Sequence, residues 1–290
     1  MNKLIGLFTL LIFFNSCKLE GVEETEITEL QDGIIENSLK DRILEEKPLM
    51  LSDSINGEAN EMVFQREDGL RVEWDVKNVN RPIELNDVVM VNYTARVAAG
   101  EVYDSNEKLG KPVPLKTNVG MMVRGWEEGL LEMHEGDQGR IMIPAALAYG
   151  ENGYTTIIPP KADIIVDIEI IEIIDPEILE DGVKVYKWEK GGTGATPQKN
   201  QIITFDYFAY KKGKNGGLYD NSYQNEAAFS FKYKNSNVVD GLHIGMSILK
   251  AGENAFIEIP SKSAYGSAGL QDLVPKNTDI VYDVRIESIL

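Results

Sequence analysis

The segment VRGWEEGLLEMHEG, residues 123–136, places one tryptophan among glycines and glutamates in a pattern with helical spacing. Trp126, Leu130 and Met133 are spaced to share one face of a helix, and Gly136 is expected to end it. A helix this short is marginal in water and forms only when its apolar face is packed. From this segment alone two interpretations are open: Trp126 fills a core, or it forms the floor of a pocket.

A repeat relates the two halves of the chain. The offset is 116 residues for six pairs: Asp104 and Asp220, Gly125 and Gly241, Gly136 and Gly252, Tyr149 and Tyr265, Pro159 and Pro275, and Asp167 and Asp283. Between Tyr93 and Tyr207 the offset is 114, so the second copy has two extra residues in its first hairpin, KKGKNGGLYD against VAAGEVYD. A repeat of this length is a domain rather than a solenoid unit.

Each copy is mostly strand. Segments such as VVMVNYTARV, GRIMIP and DIIVDIEIIEI are rich in β-branched and aromatic residues, whereas only the Trp126 segment and its copy indicate a helix. The simplest arrangement is an antiparallel sheet with one face laid over one short helix. We therefore predict an α+β fold with two tandem domains, 64–176 and 177–290, divided near Pro176.

Composition excludes several classes of function. The chain of 290 residues is 43% hydrophobic and 26% charged, as in ordinary globular proteins of about two domains. Its formal net charge of -18 argues against a nucleic-acid partner, because phosphate binding needs a clustered basic surface. With two histidines and no serine-histidine-acid pattern, we expect no metal site, no cofactor and no hydrolytic triad.

The first residues, MNKLIGLFTLLIFFNSC, resemble a bacterial lipoprotein signal. Lys3 precedes an apolar run over 4–14, and two small polar residues follow before Cys17. Cys17 is also the only cysteine. We predict a signal peptide over 1–16, lipidation of Cys17 and a membrane anchor of acyl chains; a simple cleaved signal peptide is the alternative.

Residues 17–63 are predicted to form an acidic tether. From residue 18 onward this segment has no aromatic residue and many acids, a composition that cannot bury enough apolar surface to fold. Ile35, Leu39 and Ile43 have helical spacing before Pro48. A dimerising helix and a transient helix on a flexible tether both fit this stripe, and we expect a monomer.

Four motifs carry a family resemblance. NYTARVAAGEVYDS, VRGWEEGLLEMHEG, IPAALAYGENGYTTIIPP and the closing DIIVDIEIIEI resemble, in order and spacing, the signature segments of FKBP-type peptidyl-prolyl isomerases. The resemblance covers about residues 65–174, and a weaker one covers about 180–290. It implies that the indole of Trp126 lies under the proline ring of a substrate.

The resemblance also implies a catalytic pocket in the first domain. Its residues would be Tyr93, Tyr103, Asp104, Val123, Trp126, Tyr149 and Ile158. In the family pattern the backbone N–H of Val123 and the hydroxyl of Tyr149 hold substrate carbonyls, and Asp104 lies near the reacting amide. Val113 and Val166 stand where the family commonly has phenylalanine, so we expect a wider pocket with weaker binding of proline.

The second domain departs further from the pattern. Leu242 replaces the indole, Asp240 replaces the arginine before the glycine, and Lys276 replaces one proline of the Pro-Pro pair. The expected pocket still contains Tyr207, Tyr219, Asp220, Phe229, Val239, Leu242, Tyr265, Val274 and Tyr282. Residual isomerase activity and binding of proline peptides without catalysis are both open for this domain. Taken singly, Asp104 and Asp220 also fit a simpler role as turn caps.

These features predict a peptidyl-prolyl isomerase of the bacterial cell envelope, on its periplasmic or surface side. It would accelerate X-Pro rotation, which faces a resonance barrier of about 18 to 20 kcal/mol. Its partners would be proline-containing unfolded or extended polypeptides and, through the lipid, a membrane. The alternative is a chaperone or assembly module that binds proline peptides without catalysis.

Overall fold

A computed structural model describes residues 62–98, 100–214, 216–225 and 227–290. The predicted signal peptide 1–16, Cys17 and all but the end of the tether 17–63 lie outside these residues. The described residues contain two antiparallel sheets and two short α-helices, so the α+β prediction with two tandem domains is confirmed.

The first domain contains seven strands and one α-helix among its described residues. In chain order they are β1 (Val63–Gln65), β2 (Arg71–Val76), β3 (Val88–Val97), β4 (Val102–Ser105), β5 (Val113–Lys116), α1 (Arg124–Leu130), β6 (Gln138–Ile143) and β7 (Ile164–Ile174). The sheet order is β1-β2-β6-β7-β3-β4, and β5 pairs with the other half of β3.

The described part of the second domain repeats this arrangement. Its elements are β8 (Glu177–Ile178), β9 (Lys184–Glu189), β10 (Ile202–Lys211), β11 (Gly217–Asn221), β12 (Phe229–Lys232), α2 (Asp240–Met246), β13 (Asn254–Ile259) and β14 (Ile280–Ile289). The order β8-β9-β13-β14-β10-β11, with β12 on β10, matches the first sheet strand for strand.

Glycines explain how α1 lies on the sheet. An added Cβ at Gly125 would come within 2.3 Å of Ile143, and one at Gly129 within 2.4 Å of Ile141. Because no side chain larger than hydrogen fits there, the helix rests directly on β6. This close approach fixes the height at which Trp126, between the two glycines, sits over the sheet.

The helix ends earlier than the sequence pattern indicated. It spans Arg124–Leu130, so Gly136 does not end it, and Met133 is fully buried but outside it. The turn after the helix is organised by the buried carboxylate of Asp137. That carboxylate accepts hydrogen bonds from Trp74 Nε1 at 2.8 Å and from the His134 backbone N–H at 2.8 Å, and these bonds hold the chain away from a helical path.

The two domains are in contact within one unit that includes residues 62–290. The hydrophobic cluster of the first domain extends to four buried side chains of the second: Tyr186, Tyr210, Phe256 and Val281. At this interface Lys116 Nζ lies 2.9 Å from Glu258, and both side chains are almost fully buried. Lys212 Nζ approaches the same carboxylate at 2.7 Å. A buried, charge-paired interface therefore joins the domains.

Candidate active site

The site residues of the first domain come from three elements and from the connection after β6. β3 carries Tyr93, and β4 carries Tyr103 and Asp104. Trp126 lies on α1, three residues after the N-cap residue Val123. Loops after β6 supply Tyr149 and Ile158. The side chains of Tyr93, Tyr103, Val123, Trp126, Tyr149 and Ile158 belong to one hydrophobic cluster, so the fold brings them together.

Aromatic rings form the floor and one wall of this site. Tyr93 meets Trp126 edge to face, with ring centroids 5.0 Å apart. Tyr103 and Tyr149 meet in the same way at 6.4 Å. Edge-to-face contacts place the positive edge of one ring on the negative face of the other and hold both rings in fixed orientations. The structure therefore holds these rings in fixed orientations within one apolar cluster.

Asp104 is held by Tyr93 rather than by a turn alone. The Tyr93 hydroxyl donates a 2.8 Å hydrogen bond to Asp104 Oδ2. Burial raises the pKa of the Asp104 carboxyl, although the hydrogen bond from Tyr93 acts in the opposite direction. Burial, together with the Asp104 charge, also raises the pKa of Tyr93. The pair places a single oriented carboxyl at the edge of the aromatic floor.

Val113 and Val166 belong to the same hydrophobic cluster as Trp126. Both are almost completely buried, with exposed fractions of 4% and 0%. The catalytic roles of these site residues stay predictions.

Sequence reasoning missed two residues near the site. Tyr154 places its ring 5.9 Å from that of Tyr149; its counterpart in the repeat is Leu270, so the repeat gave no signal. The second is Glu127, an acidic residue in the first turn of α1. Its carboxylate accepts a hydrogen bond from the Asn118 backbone N–H and so ties the preceding loop to α1. An acid one residue after the indole was the available signal.

The second domain repeats the tyrosine-carboxylate pair. The Tyr207 hydroxyl donates a 2.7 Å hydrogen bond to Asp220 Oδ2. Tyr207 also packs against Tyr282 at 5.5 Å and against Phe229 at 6.0 Å between ring centroids. Both domains thus build the same pair from residues at repeat-related positions, and Asp220 Oδ1 also accepts a 2.9 Å hydrogen bond from the adjacent Asn221 N–H.

The structure also brings other residues predicted for the second site into contact. Tyr219 and Tyr265 meet edge to face at 6.3 Å, and the Tyr219 hydroxyl donates to the Tyr282 hydroxyl at 3.4 Å. Burial raises the pKa of Tyr219. Leu242 and Val274 are buried, and Val239 is the N-cap residue of α2. The residues predicted for the second site therefore combine packed aromatic rings with buried aliphatic side chains.

A further cleft differs in chemistry from these sites. It has a volume of 460 Å³ and is lined by polar outward side chains of β3 and β7, including Asn92, Thr94 and Glu169. Tyr93 and Ile168, which alternate with them, point into the core on the opposite face. A cleft lined by amides and carboxylates does not suit an apolar proline ring.

Among residues 62–290 that the structure describes, no group of three or more His, Cys, Asp or Glu side chains could hold a metal ion. No helix in the described part is long and apolar enough to cross a membrane.

The family model for FKBP-type peptidyl-prolyl cis-trans isomerases matches residues 79–171 and 194–287. These two ranges cover more than half of the chain, one in each domain. The chain therefore belongs to the FKBP-type peptidyl-prolyl cis-trans isomerase family, and both domains are FKBP-like, as the motifs predicted.

Individual relatives match parts of the chain. Peptidyl-prolyl cis-trans isomerase FPR2 of Saccharomyces cerevisiae is 38% identical over 88 residues, 30% of this chain and 65% of the relative. Peptidyl-prolyl cis-trans isomerase FKBP9 of Rattus norvegicus is 26% identical over 227 residues, 77% of this chain but 39% of the relative. This chain thus spans less than two thirds of either relative. Among solved structures, the three FKBP domains of wheat FKBP73 match 77% of this chain and 96% of that one, at 20% identity and a TM-score of 0.39.

Proposed function

We propose that the first domain catalyses cis-trans isomerisation of X-Pro bonds in unfolded or extended polypeptides. The observation that carries the proposal is the fixed Tyr93–Trp126 aromatic pair with the Asp104 carboxyl at its edge. It supports binding of a small apolar ring on the indole face beside one polar group.

The mechanism needs neither an acid nor a base. Rotation of an X-Pro amide breaks no σ bond, but it must pass a barrier of about 18 to 20 kcal/mol set by resonance. The planar amide is more charge-separated than the twisted one, because resonance and its dipole are lost on twisting. An apolar pocket that excludes water disfavours the planar form relative to the twisted form and lowers the barrier.

Backbone and phenol groups would orient the substrate. Val123 is the N-cap residue of α1, and the first N–H groups of a helix have no partner within the helix. We assign the Val123 N–H and the Tyr149 hydroxyl to the carbonyls that flank the proline. With both carbonyls held, rotation about one bond is the motion left to the substrate.

Tyr149→Phe tests this assignment with little change in volume. We expect kcat/KM for an X-Pro peptide to fall about five-fold, the equivalent of one hydrogen bond worth about 1 kcal/mol. The measurement is a protease-free isomerisation assay on the full chain, with thermal unfolding recorded alongside.

Tyr265→Phe is the matched control, because Tyr265 occupies the same position in the second domain. It should leave kcat/KM at the wild-type value. Equal activity of Tyr149→Phe and wild type would contradict the assigned role of the Tyr149 hydroxyl.

For the second domain we propose binding of proline peptides without fast isomerisation. The supporting observation is Leu242, 2% exposed, at the position of the indole, beneath walls that keep Tyr207, Phe229 and Tyr282. Leucine offers a smaller apolar floor and no ring face. Such a site would retain an extended client while the first domain acts on it.

Leu242→Trp should give the second site an aromatic floor like that of the first. We expect affinity of the second site for a proline peptide to rise about three- to ten-fold, because an aromatic contact adds about 0.5 to 1.5 kcal/mol beyond area burial. Titration by NMR, following amides of β10 and β14, separates this site from the first one. Loss of thermal stability with no gain in affinity would show instead that α2 is purely a core element.

We also propose that the protein is anchored in a bacterial cell envelope by lipid on Cys17. The support is the sequence of residues 1–17, in which the apolar run 4–14 is followed by two polar residues and then by the only cysteine. Several acyl chains on one residue, each methylene contributing about 0.8 kcal/mol when buried, would hold the protein on a membrane. An acidic tether would then let the two domains reach clients at the membrane surface.

Replacing Cys17 with serine should release the protein from the membrane fraction into the soluble fraction. Cell fractionation and mass spectrometry of the N-terminal peptide measure release and acylation together. Tight membrane association of the Cys17→Ser protein would count against the lipid anchor.

A further inference from the structure

A hairpin of the second domain contacts the loop that leads into α1 of the first domain. We call residues 212–217, at the turn between β10 and β11, the hairpin tip; Asn215 is not described. This tip carries the two extra residues that distinguish the second copy of the repeat. The loop it contacts is residues 117–120.

The contact is made by backbone against backbone. The Gly213 N–H donates a 2.8 Å hydrogen bond to the Asn118 carbonyl. A Cβ added at Gly120 would come within 3.1 Å of the Gly216 carbonyl, and one at Gly216 within 2.9 Å of the Val119 backbone. The two segments therefore approach so closely that a side chain at Gly216 does not fit, and one at Gly120 fits only if its neighbours shift.

The contacted loop is itself tied to the helix that bears the indole. The Asn118 N–H donates to the Glu127 carboxylate, one residue beyond Trp126. Burial raises the pKa of the Glu127 carboxyl, while the backbone N–H groups of Asn118 and Val119 act against that shift. The chain then continues from this loop into Val123, the N-cap of α1. A fixed loop therefore constrains both the floor and the N–H of the site.

In the second domain an equivalent hydrogen bond joins the loop to α2, but this loop is exposed. At the equivalent positions, the Lys234 N–H donates to His243 Nδ1 at 3.1 Å. Lys234 and Asn235 are exposed, whereas Val119 is fully buried and Asn118 partly buried. Within the described residues, a hairpin tip thus packs on this loop in the first domain but not on the equivalent loop in the second.

An ion pair and a backbone hydrogen bond hold the base of the hairpin tip. Lys212 Nζ lies 2.7 Å from Glu258, which also pairs with Lys116 immediately before the contacted loop. The Lys212 backbone N–H donates to the Asp279 carbonyl at 2.9 Å. The same carboxylate therefore fixes the strand before the loop and the hairpin that covers the loop.

From these contacts we infer that the hairpin tip of the second domain is a positioning element for the proline site of the first. It holds loop 117–120 in place, and through Glu127 that loop holds α1 and Trp126. The inference rests on the proposed isomerase function of the first domain. It gives the second domain a part in catalysis that does not require its own pocket.

Deleting Lys214 and Asn215 tests the inference in the full chain, because it restores the hairpin length of the first domain. We expect kcat/KM for an X-Pro peptide to fall about ten-fold, mainly in kcat, since misplacement by about 1 Å can cost up to about a hundred-fold. Hydrogen exchange of residues 117–123 should also become faster. A control with Lys214→Ser and Asn215→Ser keeps the loop length and should behave as wild type in both measurements.

The two readouts separate this inference from the proposed function. If wild type catalyses and the shortened protein matches the control in both kcat/KM and exchange, the inference is wrong. A fall in activity without faster exchange at 117–123 also overturns it, because the hairpin would then act elsewhere. If wild type shows no turnover, the proposed function is contradicted; faster exchange in the shortened protein would still show that the tip orders the loop.

Discussion

Replacing Trp126 with leucine is expected to lower kcat/KM for X-Pro isomerisation by about 10- to 100-fold, or roughly 1.4 to 2.7 kcal/mol of transition-state stabilisation. The repeat supplies the reason for choosing leucine. Leu242 occupies the same position in α2, so this fold accommodates leucine there. The change removes the ring face under the proline and the contact with Tyr93 at 5.0 Å. The measurement is the protease-free assay at a temperature where the variant is fully folded.

Trp188→Leu provides the matched control. Trp188 lies on β9, outside both proposed sites, and its Nε1 donates to Asp283 at 3.3 Å. Its replacement should reduce stability without reducing kcat/KM of the folded protein. A folded Trp126→Leu protein with wild-type kcat/KM would show that Trp126 is only a core residue.

Replacing Glu258 with alanine is expected to lower the free energy of unfolding by about 3 to 5 kcal/mol, because it leaves a buried charge without its partner. That charge is Lys116, whose side chain is 0% exposed. Burial lowers the pKa of Lys116 despite the nearby carboxylate. Burial alone would raise the pKa of Glu258, but Lys116 and Lys212 together outweigh it and lower that pKa. Denaturant unfolding of the full chain measures the change.

A double replacement separates loss of the pair from loss of packing. Lys116→Met with Glu258→Leu substitutes apolar groups for both charges, and such replacements are often neutral or stabilising. We expect the double variant to recover most of the stability lost by Glu258→Ala. A single variant within about 1 kcal/mol of wild type, the scale of an exposed ion pair, would contradict a buried pair at this interface.

Much of the site was predictable because its residues recur in the repeat. The pairs Tyr93–Asp104 and Tyr207–Asp220 stand at related positions, and the structure gives them the same hydrogen bond. Segments rich in β-branched residues and one apolar helical stripe in each copy were enough to predict the α+β fold. Local pattern carries this information because the strands and the helix each bury one face against the same core.

The rest depended on contacts between distant segments. The end of α1 at Leu130 is set by the turn around Asp137, whose partners include Trp74 on another strand. In the sequence, three charged residues of the domain interface look like ordinary surface charges: Lys116, Lys212 and Glu258. In the structure Lys116 and Glu258 are buried between the two domains, and Lys212 is partly buried. The two extra hairpin residues were visible, but their contact with loop 117–120 follows only from how the domains pack.

The central claim is that the apolar site around Trp126 accelerates X-Pro rotation. The most direct test is a protease-free assay of cis-trans exchange in an X-Pro peptide, with the purified full chain at increasing concentration. We predict a rate that rises in proportion to protein above the spontaneous rate and falls back toward it in the folded Trp126→Leu variant. A wild-type rate equal to the spontaneous rate at every concentration would contradict the account.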